Sequence, residues 1–196
     1  MNPRLLKHYV KYWLRAKNRH GLHSPFVYQL LDKVVYDFNP YKLYAEINRA
    51  AQQLPDDGLP RFSTPVNRLL YRLMAHFKPA HITLGADVSN ITALYLNASP
   101  ALYGQEGGDI HQCTVCDAGL APTLSGGAAI ETICGSMQPG DMLIMTNIYQ
   151  SPQAMANWQH VKQQPGITVT INFFYFGLAF CRPGQRKEDF MLRGPL

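Results

Sequence analysis

Short apolar runs alternate with helical segments in the second half of the chain, and this alternation is the strongest constraint on its fold. Strand-like runs begin at Ile82, Cys113 and Met142. Helical spacing follows each of them, at residues 88–96, 126–137 and 151–161. Strands separated by helices pair in parallel, because each crossover returns the chain to the same end of the sheet. The sequence therefore predicts an α/β domain with a mostly parallel sheet over residues 80–196.

The last two strand-like runs follow one another without a helix between them. They cover residues 167–174 and 178–181, and the short connection predicts an antiparallel hairpin. Residues 101–106 form a weaker candidate for a further short strand. A mixed sheet with an antiparallel C-terminal end is the expected outcome.

The first 79 residues are predicted to form a helical region packed on the sheet domain. Asn2-Pro3 and Ser24-Pro25 are typical helix starts, and further helices are expected over residues 41–54 and from Ser63 onward. The first helix should end near Lys17. We expect its apolar side chains to pack against the domain, and these are Leu5, Leu6, Tyr9, Val10, Trp13 and Leu14.

The positive charge of the chain is concentrated at its N-terminus. Residues 1–31 contain six bases and no acid, whereas the remainder has 12 bases and 13 acids. A solvated basic face is the favoured interpretation of this arm, ahead of contact with nucleic acid or anionic lipid.

No apolar run approaches the roughly 20 residues that a membrane span needs, and no signal peptide is visible. A cytoplasmic protein without a membrane span is expected.

Cysteine and histidine pairs in the chain have spacings that occur in metal sites, but the favoured interpretation is structural. Cys113 and Cys116 lie in a predicted strand, where residues three apart point to opposite faces, so buried free thiols are expected. His20 and His23 lie between two helices without further ligands nearby in sequence, which favours ordinary loop packing.

Polar residues follow several predicted strands, and in open α/β sheets ligands bind at the carboxyl ends of the strands. Gly85 and Asp87 follow the first strand, and Asp117 and Asn147 follow two later ones. Glu106 is placed to accept hydrogen bonds from a ribose diol. The candidates for cofactor binding are therefore Gly85, Asp87, Glu106 and Asp117. Asp117 and Asn147 are the catalytic candidates. Structural roles remain alternatives for four of these residues: a strand-to-helix turn for Gly85, a helix N-cap for Asp87, capping or turn formation for Asp117, and an ordinary loop position for Asn147.

Two sequence blocks resemble a known family. One spans residues 16–26 and contains His-Gly-Leu-His-Ser-Pro-Phe; the other spans residues 158–182, with Gln-Arg-Lys-Glu-Asp-Phe after it. The chain resembles the class I S-adenosylmethionine-dependent methyltransferases, in particular short bacterial O-methyltransferase-like proteins. The resemblance implies a Rossmann-like, seven-stranded sheet ending in an antiparallel hairpin. It also implies S-adenosylmethionine as methyl donor and a small molecule as acceptor.

The chain departs from the family pattern within the cofactor loop. Thr83 stands where the family has a glutamate directed at the cofactor, and Ser89 stands at a second glycine. Thr146 and Asn147 replace two carboxylates, so no metal ion is expected. Only six residues separate Glu106 from Cys113, where the family has a helix, a strand and another helix.

Two functional hypotheses follow from the resemblance and these departures. The first is an S-adenosylmethionine-dependent O-methyltransferase acting on a small molecule. The second is a shortened, non-catalytic methyltransferase fold that serves as a binding or assembly module. The loss of a middle segment should expose one sheet edge, which favours covering by the N-terminal helices or by another copy in a homo-oligomer. A nucleic-acid binder using the basic arm is a distant third hypothesis.

Overall fold

The computed structural model describes residues 3–19, 21–98, 108, 110–119 and 128–194. Its helices are α1 (Pro3–Arg15), α2 (Pro25–Leu30, continued by a π-helical turn, Leu31–Val35), α3 (Leu43–Gln52), α4 (Thr64–Phe77), α5 (Asn90–Ala98), α6 (Ala128–Ser136) and α7 (Pro152–Gln163). Its strands are β1 (His81–Leu84), β2 (Gln112–Asp117), β3 (Met142–Thr146), β4 (Val169–Asn172), β5 (Phe176–Phe180) and β6 (Glu188–Met191).

The six strands form one mixed sheet in the order β1-β2-β3-β5-β4-β6. The strands β1, β2 and β3 are parallel, and β5 runs antiparallel to both β3 and β4. The predicted α/β class and the predicted hairpin are thereby confirmed, and the sheet is consistent with a Rossmann-like fold in general. The strand suggested for residues 101–106 lies outside the described residues.

The strand β6, at the end of the sheet opposite β1, was not expected. Hydrogen bonds beside it join the N-terminal and C-terminal parts of the chain. It pairs in parallel with β4, so that β4 lies between β5 and β6. The amide of Lys17 donates to the carbonyl of Met191 at 2.8 Å, and the amide of Arg193 donates to the carbonyl of Lys17 at 3.1 Å. The residues that follow α1 are therefore fixed to the C-terminal edge of the sheet.

Helices cover both faces of the sheet. On one face, α2 and α4 pack against a cluster that includes Val115, Ile144 and Leu178. On the other face, α6 and α7 cover Leu143, Met145 and Ala179. Cys113 belongs to the first cluster and Cys116 packs against the second, which confirms that these two free thiols point to opposite faces.

The expectation that the apolar side chains of α1 all pack on the domain is wrong. Two of these six side chains, Leu5 and Tyr9, pack together with Tyr12 around Phe174, which lies in the β4–β5 turn. The other four, Leu6, Val10, Trp13 and Leu14, are exposed. The physical reason is that the six apolar positions occupy two faces of the helix, and only one face can contact the domain.

None of the helices in the described part of the chain combines the length and the apolarity needed to cross a membrane.

Gly177 of β5 allows the indole ring of Trp158 in α7 to lie directly on the sheet. A Cβ atom at residue 177 would stand 2.5 Å from Cη2 of Trp158. Gly177→Ala should therefore lower the free energy of unfolding by about 1–3 kcal/mol, as overpacking in a tight core does. Chemical denaturation monitored by circular dichroism measures the effect. Gly135→Ala is the matched control, because a Cβ atom there meets nothing within 4 Å and alanine favours the helix. Equal stability of the two variants would contradict the packing argument.

Candidate functional site

The carboxyl ends of β1, β2 and β3 bring most of the predicted site residues to one edge of the sheet. Gly85 and Asp87 follow β1, Asp117 ends β2, and Thr146 and Asn147 lie at the end of β3. They meet because the three strands are parallel, so their carboxyl ends share an edge. Glu106, the candidate for ribose binding, lies outside the described residues.

The carboxylate of Asp117 is at the centre of this edge and is buried. Its Oδ1 accepts a hydrogen bond from the amide of Gly119 at 2.6 Å, which forms the turn that was one of its expected roles. Its Oδ2 accepts from the hydroxyl of Thr146 at 3.1 Å and from the side-chain amide of Asn147. Three donors of the same chain therefore satisfy this carboxylate, as burial of a charged group requires.

Asp87 contacts β2 and does not cap α5. Its Oδ2 accepts a hydrogen bond from the amide of Asp117 at 3.0 Å. Its Oδ1 is buried and accepts no hydrogen bond from the described residues. Burial, and secondarily the negative charge of Asp117, raise the pKa of Asp87. A Cβ atom at residue 85 would stand 2.3 Å from Oδ1 of Asp87, so glycine at position 85 makes room for this carboxylate.

Ser89 caps α5, so the N-cap role expected for Asp87 is wrong. The hydroxyl of Ser89 accepts a hydrogen bond from the amide of Thr92 at 3.3 Å and donates to the hydroxyl of Thr92 at 3.0 Å. Thr92 in turn donates to the side-chain oxygen of Asn67 in α4 at 3.1 Å. Ser89 and Thr92 are both buried, so this network joins α5 to α4. Ser89 therefore serves the packing of two helices.

Asp57 provides a second cap for α5 that sequence reasoning missed. Its Oδ2 accepts a hydrogen bond from the amide of Asn90 at 2.6 Å, across 33 residues of sequence. The amides of Asn90 and then Leu59 donate to this carboxylate and lower the pKa of Asp57. No local pattern predicts the contact, because it depends on how the loop before α4 folds back onto α5.

Thr83 is the next-to-last residue of the edge strand β1, and its side chain is exposed. Its hydroxyl accepts a hydrogen bond from the side-chain amide of Gln112 at 2.7 Å, across β1 and β2. Thr83, Gln112 and Thr114 line an open cavity of about 630 Å³ beside Met137 at the end of α6. Within the described ranges β1 pairs only with β2, and polar side chains occupy this part of the sheet face.

Aromatic side chains flank the carboxyl edge on the side of α1. Tyr149 stacks on Phe174 with ring centroids 4.9 Å apart, and its hydroxyl accepts a hydrogen bond from the side-chain amide of Asn172 at 2.8 Å. His8 of α1 lies 5.7 Å from the ring of Tyr149. Asn147 has a left-handed backbone with a φ of 55°, and its amide donates to the carbonyl of Tyr175 at 2.7 Å. The helix α1 therefore covers one flank of the site.

His23 is exposed, and His20 lies outside the described residues. Across residues 3–19, 21–98, 110–119 and 128–194, no three His, Cys, Asp or Glu side chains are arranged to hold a metal ion. The predicted loop role of His23 remains a prediction.

Comparisons with protein-family models, with curated proteins and with solved structures found no match for this chain.

Removal of the Ser89 hydroxyl tests its structural role. Ser89→Ala should lower the free energy of unfolding by about 1 kcal/mol, because the first turn of α5 loses a cap. Chemical denaturation measures the total loss, and hydrogen exchange should show reduced protection in α5. Ser63→Ala is a matched control, since Ser63 is the N-cap residue of α4 but forms no side-chain cap hydrogen bond. If Ser89→Ala is no more destabilising than Ser63→Ala, the capping role is refuted.

The raised pKa of Asp87 predicts a pH-dependent cost of ionisation. Below the unfolded value of 3.8 the carboxyl is protonated in both states, so the cost is absent, and it grows as pH rises above 3.8. Asp87→Asn should therefore be at least as stable as the wild type at neutral pH, and the difference should vanish in acid. Thermal unfolding across this pH range measures it. A variant less stable than the wild type at neutral pH would contradict the prediction.

Proposed function

We propose that the chain is a methyltransferase-like module in which the loop that would bind S-adenosylmethionine serves the packing of the fold instead. In this proposal the protein is a non-catalytic binding or assembly module. The resemblance supports the methyltransferase part of the proposal. The geometry around α5 supports the inference that cofactor binding has been lost.

The observation that carries the proposal is that side chains of this chain already bind the free amides in the first turn of α5. A helix N-terminus attracts anions because its first amides lack partners within the helix. Here the carboxylate of Asp57 binds the amide of Asn90, and the hydroxyl of Ser89 binds the amide of Thr92. A cofactor carboxylate placed at this turn would have to displace Asp57, which carries the same charge.

The carboxyl ends of β2 and β3 support the same proposal. In the related catechol-type enzymes, to which the resemblance extends, a metal ion held by carboxylates orients the acceptor oxygens. The only one of those carboxylates retained at the aligned positions is Asp117, and Gly119, Thr146 and Asn147 already satisfy it. Thr146 and Asn147 act as hydrogen-bond donors to it, and a metal ion requires acceptors. The described residues therefore do not fit a metal-assisted acceptor site.

One observation favours the enzyme as a second candidate function. Oδ1 of Asp87 is a buried carboxylate oxygen that accepts no hydrogen bond from the described residues, and it lies where the resemblance locates the cofactor. The ammonium group of S-adenosylmethionine would supply the missing donor. In an O-methyltransferase of this kind the protein mainly positions donor and acceptor for in-line displacement.

Titration with the cofactor separates the two candidates. We expect no heat of binding for S-adenosylmethionine or S-adenosylhomocysteine in calorimetry, and no rise in melting temperature at millimolar ligand. A ligand present at about 100 times its dissociation constant would stabilise the fold by about 2.7 kcal/mol, so binding of even moderate affinity would be detected.

Saturable binding would refute the proposal that this loop has lost the cofactor. In that case Asp87→Asn should weaken the affinity, because the oxygen that receives the ammonium group becomes part of a neutral amide. Asp141→Asn is the matched control, since Asp141 is a buried acid that binds a backbone amide well away from this edge.

A further inference from the structure

The outer face of α1 carries a continuous apolar stripe that is open to solvent. It consists of Leu6, Val10, Trp13 and Leu14, whose exposed fractions are 47%, 49%, 45% and 71%. Their spacing of four, three and one residues places them on one face of the helix. Only seven large apolar side chains are exposed in the described part of the chain, and four of them form this stripe. Such a concentration marks an interaction surface.

Cations border the stripe on both sides. Arg4, Lys7, Lys11 and Arg15 follow one another at helical spacing along the adjoining face of α1. On the other side, the guanidinium of Arg193 lies 4.5 Å from the ring centroid of Trp13. The first acid in the sequence is Asp32, so α1 itself has no negative charge.

The helix is fixed in place, so the stripe is a preformed surface. The hydroxyl of Tyr12 donates to the carbonyl of Leu192, and Nε of Arg193 donates to the carbonyl of Ala16 at 3.2 Å. The buried face of α1 contacts Phe174, with the ring of Tyr9 edge-on to it at 5.0 Å. With 13 residues, the helix is about 20 Å long.

We propose that α1 docks the protein in the plane of an anionic phospholipid surface. The apolar stripe enters the boundary between headgroups and acyl chains, and the flanking Lys and Arg side chains meet the lipid phosphates. This inference goes beyond the proposed function and is independent of it, because none of the residues that carry it belongs to the cofactor loop.

Charge complementarity selects this occupant over the alternatives. A second copy of the chain would bring another row of cations against the first, which repels. A nucleic acid would account for the cations and leave Leu6, Val10 and Leu14 in water. Of these three occupants, an anionic lipid surface is the one that satisfies both the apolar stripe and the cations beside it.

The surroundings of Trp13 suit the headgroup region. A cavity of about 350 Å³ opens beside it and is lined by Tyr9, Tyr36, Tyr175 and Arg193. Trp and Tyr side chains concentrate at membrane–water interfaces, because their rings are apolar and carry a polar group at one end.

Vesicle flotation of the full chain tests the proposal. We expect the protein to float with vesicles of phosphatidylcholine and phosphatidylglycerol, to remain behind with phosphatidylcholine alone, and to be released by high salt. Trp13 is one of two tryptophans, and the other, Trp158, is buried. Binding should therefore shift tryptophan emission to the blue, and Trp13→Phe should remove the shift while the protein still floats.

Matched variants distinguish docking through the apolar stripe from nonspecific electrostatic attraction to the vesicles. The pair Val10→Ser and Leu14→Ser should weaken binding at least about tenfold, and Lys7→Glu with Lys11→Glu should do the same. The controls are Phe38→Ser and Lys42→Glu, which change an exposed apolar and an exposed basic residue elsewhere and should leave binding unchanged. The replaced side chains of α1 are exposed, so circular dichroism should show each variant folded.

Three results would overturn the proposal. The first is failure to float with anionic vesicles. The second is flotation that Val10→Ser and Leu14→Ser leave unchanged, since that would reflect charge alone. The third is a dimer in solution that Val10→Ser dissociates while vesicle binding is absent, because the stripe would then be an interface between two copies.

Discussion

The buried carboxylate of Asp117 holds the carboxyl ends of the parallel strands together, and the geometry of the whole candidate site depends on it. Its oxygens bind Gly119, Thr146 and Asn147, and its amide binds Asp87. A carboxylate this deeply buried requires hydrogen-bond donors, and these three residues supply them. The side chains that the resemblance would assign to acceptor chemistry therefore already hold the ends of the strands together. This is the physical basis for favouring a packed edge over a catalytic one.

The sequence predicted the fold class because hydrophobic periodicity is a local signal. Alternating strands and helices from residue 82 onward, and the hairpin of β4 and β5, could be read from it. The strand β6 could not, because Glu188 and Asp189 show no strand-like alternation, and the strand forms only by pairing with β4. The two faces of α1 were also missed, since a pattern of apolar residues shows how many are present but not which of them find a partner.

Within the site, topology was predictable and roles were not. Parallel strands had to bring Asp87, Asp117 and Asn147 to one edge, whatever their function. Their hydrogen-bond partners depend on packing between segments far apart in sequence. Asp57 reaches the amide of Asn90 from a loop 33 residues earlier, and this contact leaves Ser89 and Asp57 sharing the first turn of α5. A serine that looked like an obstacle to a cofactor is, in the fold, a link between α5 and α4.

The position of α1 connects the two proposals spatially although neither requires the other. Its buried face contacts Phe174, which stacks on Tyr149, and Tyr149 lies two residues after Asn147. A protein docked through the outer face of α1 would therefore carry the turn after β4 and the loop after β3 close to the lipid surface. A non-catalytic module would then present its carboxyl edge to partners at that surface. An active enzyme in the same orientation would meet acceptors that partition into the headgroup region, because α1 flanks the edge where an acceptor would approach.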